Sequence, residues 1–440
     1  MKHLAILLFA AADPAAVTVY QPADLGGSYV MEFERGPIFY NRPGDRDPIA
    51  RLQKRVDKGE VQLKFDAGSG RGYLSSLLDA LRVPASSQML VFSKTSLQLH
   101  KIAPETPRAL YFNDDIYVGF VQRGDVLELS AVDPERGAIF YTLEQREESK
   151  PRFRRQDDCL QCHASGRTLG VPGHIVRSVH VDHEGQPMFT GGGYNIDHRN
   201  PISERFGGWY VTGTHGPARH LGNVYVKDRA HPDKLDAEAG ANLTKLPVDT
   251  TPYLTAHSDI VAQLVLQHQV RMHNLIARVA FETRLALDSQ QAMDKALGKQ
   301  PGGGWSDSTR RRIFSPAETL VRYMLFLDEA PLTSPVQGAS GFTAEFRKQG
   351  PADRRGRSLR ELDLKGRLFR YPLSFLIYSE SFDALPAPAK DYVWRRLWDV
   401  LNGREPRKEF AALKAQDRVA IREILLETKT GLPAYWRAAP

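Results

Sequence analysis

The sequence predicts an α+β protein, and three observations carry that reading. Between residues 109 and 228 short runs of strand-forming residues are separated by turn sequences, the signature of an antiparallel β-rich region. From 257 to the end apolar residues recur at three- and four-residue spacing, the signature of helices. The 440 residues are 42% apolar and 25% charged, ordinary proportions for a globular chain with room for two or three domains.

The chain opens on Met1-Lys2-His3, an apolar run over 4–12 and an Ala10-x-Ala12 pattern. A positive start, a short apolar stretch and small residues at a cleavage point predict a signal peptide over 1–12 and export. Residues 13–108 read as an α+β region. It has strand-like pieces at 37–40 and 61–65, a helical piece at 49–56, and a helix with Leu74, Leu77, Leu78 and Leu81 that closes at Pro84. A strand at 89–92 follows.

Three strands are expected at 116–121, 126–132 and 138–143. Arg123-Gly124 and the run Asp133-Pro134-Glu135-Arg136-Gly137 separate them, so they form a meander. A polar stretch over 144–158 leads into Cys159-Leu160-Gln161-Cys162-His163. Strand signals resume at 175–181, 188–190, 208–214 and 223–226, which sets this motif between strands of one sheet. Residues 229–256 are rich in Pro, Asp and Ala and read as a linker.

Helices fill 257–440. One starts at Ser258-Asp259 and reaches about 287. Pro301 and the glycines after it interrupt the pattern. Ser315-Pro316-Ala317-Glu318 reads as a capping box that opens a helix to about 328. An aromatic stretch at 364–379 reads as buried. Helices at 390–401, stopped by Asn402-Gly403, and at 418–428 complete the chain.

The cysteine motif is the chemical centre of the sequence. Cys159 and Cys162 are the only cysteines in the chain, and His163 follows directly. Each thiol of a CxxCH run can add across one vinyl group of a haem, and the two-residue gap matches the vinyl separation. The histidine then lies under the iron as proximal ligand. Three plainer readings compete. A thioredoxin-like couple belongs in a βαβ pattern, which is missing here. A structural zinc site needs a second ligand pair, which only histidines could supply. A plain disulfide needs nothing further.

On this motif the sequence resembles the c-type cytochromes. The resemblance implies one haem c attached at Cys159 and Cys162, axial ligation by His163, and electron transfer or haem-based chemistry. A haem motif set among β segments also resembles single-haem c-type sensor domains of PAS-like architecture. It is similar, too, to secreted bacterial cytochrome c-like proteins with one CxxCH. On this likeness 109–228 is the c-type haem domain.

A second axial ligand must come from elsewhere. On the helix from Ser258, His268 shares a face with Ile260, Leu264, Met272, Leu275 and Val279, while His273 falls on the opposite, polar side. His215 ends a strand between Gly213 and Gly216, which allow close approach of a flat ring; His220 follows. His268 or His215 is therefore the expected second ligand. For both, a hydrogen-bonded structural histidine is the plainer alternative. His174, His180 and His183 form a third set with a weaker claim to a metal, and His198 and Met188 stand outside these groups.

The net charge of +7 is spread along the chain in short arginine clusters. No nucleic-acid-binding motif accompanies them, so a solvated basic face is expected, or one that meets haem propionates or an acidic redox partner. GxSxG, HExxH and phosphate-loop motifs are absent from the sequence. No apolar run beyond the signal reaches the ~18 residues of a membrane span. The expected function is single-electron transfer by a periplasmic or secreted protein with a redox partner protein or a small electron donor or acceptor. Two alternatives are a haem enzyme, peroxidase- or oxygenase-like, with an open iron site, and a haem-based gas or redox sensor. The chain is larger than a one-haem carrier needs, which favours the enzyme. It shows no output domain, which counts against the sensor.

Overall fold

The computed structural model describes residues 31–437 apart from Pro43, Asp45, Asp233 and 300–303. The expected signal segment lies outside these residues. Helix α1 (Pro48–Asp57) starts where the Asp47 carboxylate accepts from the Ile49 and Ala50 amides, with proline in the first turn. It buries Ile49, Leu52 and Val56. Helix α2 (Leu74–Leu81) buries all four of its expected leucines and ends at Arg82, in the left-handed conformation with φ 55°. The expected strand pieces at 37–40 and 61–65 are turns and coil.

Six strands form one antiparallel sheet in sequential order: β1 (Met89–Val91), β2 (Arg108–Phe112), β3 (Ile116–Phe120), β4 (Val126–Asp133), β5 (Gly137–Glu144) and β6 (Phe153–Arg155). The expected meander is its centre. The boundary expected at 108/109 falls inside β2, whose Arg108 and Ala109 pair with Val91 and Leu90 of β1.

Alternation gives the sheet two apolar faces. Tyr111, Val118, Leu129 and Leu143 pack under α1 and α2 in one core cluster. Phe112 and Phe140 belong to a second, larger cluster, shared with the C-terminal helices. The sheet is thus a central layer covered on both sides. The stretch read as a linker also packs: Tyr253 is buried and donates its hydroxyl to the Pro107 carbonyl at 2.7 Å.

After β6 comes α3 (Leu160–His163), a single turn that carries the cysteine motif. The motif therefore leaves the edge of the six-stranded sheet and is not inserted between its strands. Gly166, Gly170, Pro172 and Gly173 stop any longer helix. The next strands, β7 (Arg177–Val179) and β8 (Gly193–Asn195), make a separate two-stranded ribbon. Residues 189–191 form a 3-10 turn, and Val226 makes one isolated bridge, to Asp182. The expected strand at 208–214 is reduced to β9 (Gly213–Thr214), which later pairs with β10 (Gln337–Gly338).

Helix α4 (Ile260–Ala296) is capped by the Asp259 carboxylate, which accepts from the Val261 and Ala262 amides. It is buried on nearly every face between Ile260 and Ala286. His273, expected on a polar face, is 4% exposed. Helix α5 (Asp307–Met324) begins at an N-cap on Ser306, so the Ser315–Glu318 signal lies inside it and Pro316 is an internal proline. The remaining helices are α6 (Phe342–Lys348), α7 (Glu380–Asp383), α8 (Ala387–Leu401) and α9 (Ala415–Thr428). The C-terminal half is helical, as expected, and the aromatic stretch supplies buried Phe369, Phe375 and Leu376. No helix among the described residues is long and apolar enough to cross a membrane.

Candidate haem-attachment site

Cys162 is exposed and Cys159 half-buried at the start of the α3 turn, where they are unpaired. Burial pushes the Cys159 thiol up to about 11, and Glu128, Asp158 and Asp157 push the same way. A redox-active CxxC couple depends on the opposite, a thiol whose pKa is lowered by a positive environment. Among the described residues no three His, Cys, Asp or Glu side chains converge to hold a metal ion.

His163 is the most informative residue of the group. Its Nδ1 lies 2.9 Å from the Gly173 carbonyl oxygen. A carbonyl only accepts, so Nδ1 carries the proton and Nε2 carries the lone pair. Burial, with Arg108 acting in the same direction, pushes the ring below its ordinary pKa against the pull of the Gly173 bond. The imidazole is therefore neutral at pH 7. A metal-binding histidine has this form, one nitrogen anchored to a carbonyl and the other free for the metal. The ring packs on Phe140, with centroids 4.8 Å apart.

The anchor is itself held from three sides. The Gly173 amide donates to the His163 carbonyl at 2.8 Å. The Ala138 amide, at the start of β5, donates to the Pro172 carbonyl at 3.0 Å. From α4, Asn274 accepts from the His174 amide at 2.9 Å and donates to the His174 carbonyl at 2.8 Å. A Cβ on Gly173 would stand 2.3 Å from the Asn274 Oδ1, so only glycine fits between the motif and the helix. Arg278, one turn further along α4, donates to the Leu169 carbonyl at 3.0 Å. Helix α4 thus supports the His163 side of the motif.

His268 is fully buried, with its Nδ1 2.8 Å from the His198 Nδ1 and its Nε2 2.8 Å from the Ser374 hydroxyl. Its ring neighbours are His198, Tyr323, Phe326, Phe369 and Phe375, none of them in the motif. Both ring nitrogens are committed. Iron ligation there would need one of these bonds to break.

His215 accepts from the Asn242 amide at its Nε2, 3.1 Å away, so its proton is on Nδ1 and its lone pair is in use. It lies against His220, ring centroids 4.7 Å apart, and His220 accepts from the Gly222 amide at 3.0 Å. His174 is buried against Tyr117 and bonds the Ser130 hydroxyl, whereas His183 is exposed, so the third histidine set does not converge.

Sequence reasoning missed the roles of Gly173, Asn274 and Phe140, and placed His174 with a weak metal set rather than beside Asn274. A glycine two residues beyond a turn and an asparagine inside an apolar helix were the available signals, but neither reveals its partner. Comparison with protein-family models, curated proteins and solved structures finds no match for this chain.

Proposed function

We propose that this chain is a c-type haem protein that carries one haem bonded through Cys159 and Cys162, with His163 as proximal ligand through Nε2. The observation that supports this most is the Nδ1 bond of His163 to the Gly173 carbonyl, which leaves a neutral ring with its lone pair on the other nitrogen. When bound, such a haem supplies a one-electron ferric/ferrous couple. The chain's own part is to hold. Cys159 and Cys162 would hold the group by adding S–H across its two vinyl double bonds, without net oxidation. Asn274 and Gly173 hold the His163 ring that would ligate the iron, and Phe140 packs against that ring. Single-electron transfer with a redox partner protein or small donor or acceptor, after export to the periplasm or exterior, is the function this arrangement suits.

A second reading has an observation of its own. His268 and His215 both have their lone pairs committed, so either would have to give up a hydrogen bond to ligate an iron held by His163. An open position suits gas binding, as in a sensor with a PAS-like sheet, or peroxide chemistry. The two readings separate on the reduced protein made in cells competent for cytochrome c maturation. Covalent haem is expected in both. A carbon monoxide-insensitive, low-spin spectrum supports the carrier, and a carbon monoxide-sensitive one supports the open site. A colourless full-length protein would defeat both.

A further inference from the structure

We propose that Tyr117 is a redox-active tyrosine, oxidised by one electron as its proton passes to His273, and that it holds an oxidising equivalent for the His163 site. The destination of the electron rests on the haem reading above, whereas the tyrosine–histidine pair stands on its own geometry. Tyr117 lies on β3 and His273 on α4, and the Tyr117 hydroxyl is 2.9 Å from the His273 Nδ1. The same hydroxyl oxygen accepts from the Gln269 Nε2 at 3.0 Å, and that nitrogen also donates to the Asn113 carbonyl at 2.7 Å. The phenolic proton therefore points at His273, whose Nδ1 holds a lone pair and whose Nε2 carries the proton.

Two further observations give this pair a task. A series of ring contacts joins it to the cysteine motif. Between centroids, Tyr117 lies 4.3 Å from His174, His174 5.9 Å from Phe140, and Phe140 4.8 Å from His163. Each gap is short enough for an electron to tunnel between π systems. On the other side, the His273 Nε2 is buried and makes no hydrogen bond among the described residues. His273 lines a cavity with Asp133, Glu135 and Ser381, and the Glu135 side chain is 42% exposed, so the cavity leads from the ring to the surface. The electron thus has a path toward the motif, and the proton has one toward solvent.

Tyr117 loses one electron by way of His174 and Phe140, and that electron reduces a haem that a hydroperoxide has oxidised beyond the ferric state. The Tyr117 O–H bond breaks and its proton joins the His273 Nδ1. The products are a neutral tyrosyl radical and an imidazolium, which returns to neutrality by releasing its Nε2 proton into the cavity. Burial raises the Tyr117 pKa and keeps it a neutral phenol until it is oxidised. Burial also makes His273 a weak base, while the Asp114 carbonyl favours its charged form. A phenol that has lost an electron is a strong acid, so a weak base suffices to take its proton.

The test mixes ferric, haem-loaded protein with hydrogen peroxide, freezes it within milliseconds and records its electron paramagnetic resonance spectrum. Wild type should show a tyrosyl radical that narrows with ring-deuterated tyrosine and couples to nitrogen in protein labelled with heavy-nitrogen histidine. Tyr117→Phe should lose this signal while keeping its haem. His273→Gln keeps a hydrogen-bond acceptor but no base, so the radical should form about a hundredfold more slowly. If Tyr117→Phe fails to fold, the nitrogen coupling in wild type and its loss in His273→Gln carry the test. A tyrosyl signal equal in wild type and Tyr117→Phe, or none in haem-loaded wild type, would overturn the proposal and leave the attachment reading standing. A wild-type chain without haem would overturn the attachment reading. A ruthenium(III) polypyridyl oxidant made by a laser flash then takes the place of the haem, and the Tyr117 signal should still appear. Its absence there would overturn the redox tyrosine as well.

Discussion

His163 and Gly173 hold each other twice: the Gly173 amide donates to the His163 carbonyl at 2.8 Å, and the His163 ring donates from Nδ1 to the Gly173 carbonyl at 2.9 Å. This reciprocal pair closes the loop after the cysteine motif and sets the tautomer of the ring. Everything proposed for the site depends on its staying closed, and the substitutions below probe it from different sides.

Gly173→Ala puts a methyl group 2.3 Å from the Asn274 Oδ1. Either the loop or the asparagine must shift, at a cost of about 1–3 kcal/mol for an overpacked site. Chemical denaturation should show that loss. In haem-loaded protein the iron–histidine stretching frequency should move as well, because the ring's carbonyl anchor has moved. An unchanged frequency would mean that the anchor does not control the ring.

Asn274→Ala removes both bonds to the His174 backbone and leaves a buried amide and carbonyl unpaired, at about 1–3 kcal/mol for each. The expected outcome is a lower denaturation midpoint with haem attachment intact. Asn274 touches neither cysteine, so a failure to attach haem in protein that still folds would contradict its role as a support.

His268→Ala should destabilise the protein without altering the haem spectrum. It leaves His198 and Ser374 without their partner in a fully buried cluster, again about 1–3 kcal/mol per unpaired group. A switch to a high-spin or carbon monoxide-binding spectrum would instead restore His268 as an iron ligand. His215→Ala should likewise leave the spectrum unchanged.

Acid should unfold the protein. Burial pushes His220, His268 and His273 down to about 3, against an ordinary value of 6.5. Between those values the unfolded chain binds protons that the folded chain refuses. The stability these groups contribute is therefore complete above pH 6.5 and is lost as pH falls toward 3, at about 1.4 kcal/mol per pH unit for each. Asp115 and Glu329 act in the other direction, since burial raises both to about 7 and their contribution is lost as pH rises toward 7. Three histidines outweigh two acids, so denaturation midpoints should fall from pH 6 to pH 4.5. A flat profile would mean that these histidines are not held neutral.

The sequence made local features legible and hid distant ones. The strands at 116–121, 126–132 and 138–143 could be read because Arg123-Gly124 and Asp133–Gly137 bracket them within a few residues. The start of α4 could be read from Asp259, a cap acting on its own first turn. The ligand role expected for His268 rested on an apolar stripe, and a helix buried all round has no single core face for a stripe to mark. The Asn274–His174 link joins residues 100 apart in the chain, and no periodicity encodes it. The glycine- and proline-rich path from 188 to 226 mimicked longer strands because, outside the short ladders of β8 and β9, residues such as Trp209, Thr212 and Val226 pair singly, through isolated bridges.

The most direct measurement is the alkaline pyridine spectrum of the denatured, reduced protein, from wild type and from the Cys159→Ser, Cys162→Ser double variant, both made in maturation-competent cells. The account predicts that wild type retains one haem per chain after denaturation, with the α band of a haem whose two vinyl groups are both saturated, and that the double variant retains none. A wild-type chain that loses all its haem on denaturation, or never acquires any, would contradict covalent attachment at Cys159 and Cys162.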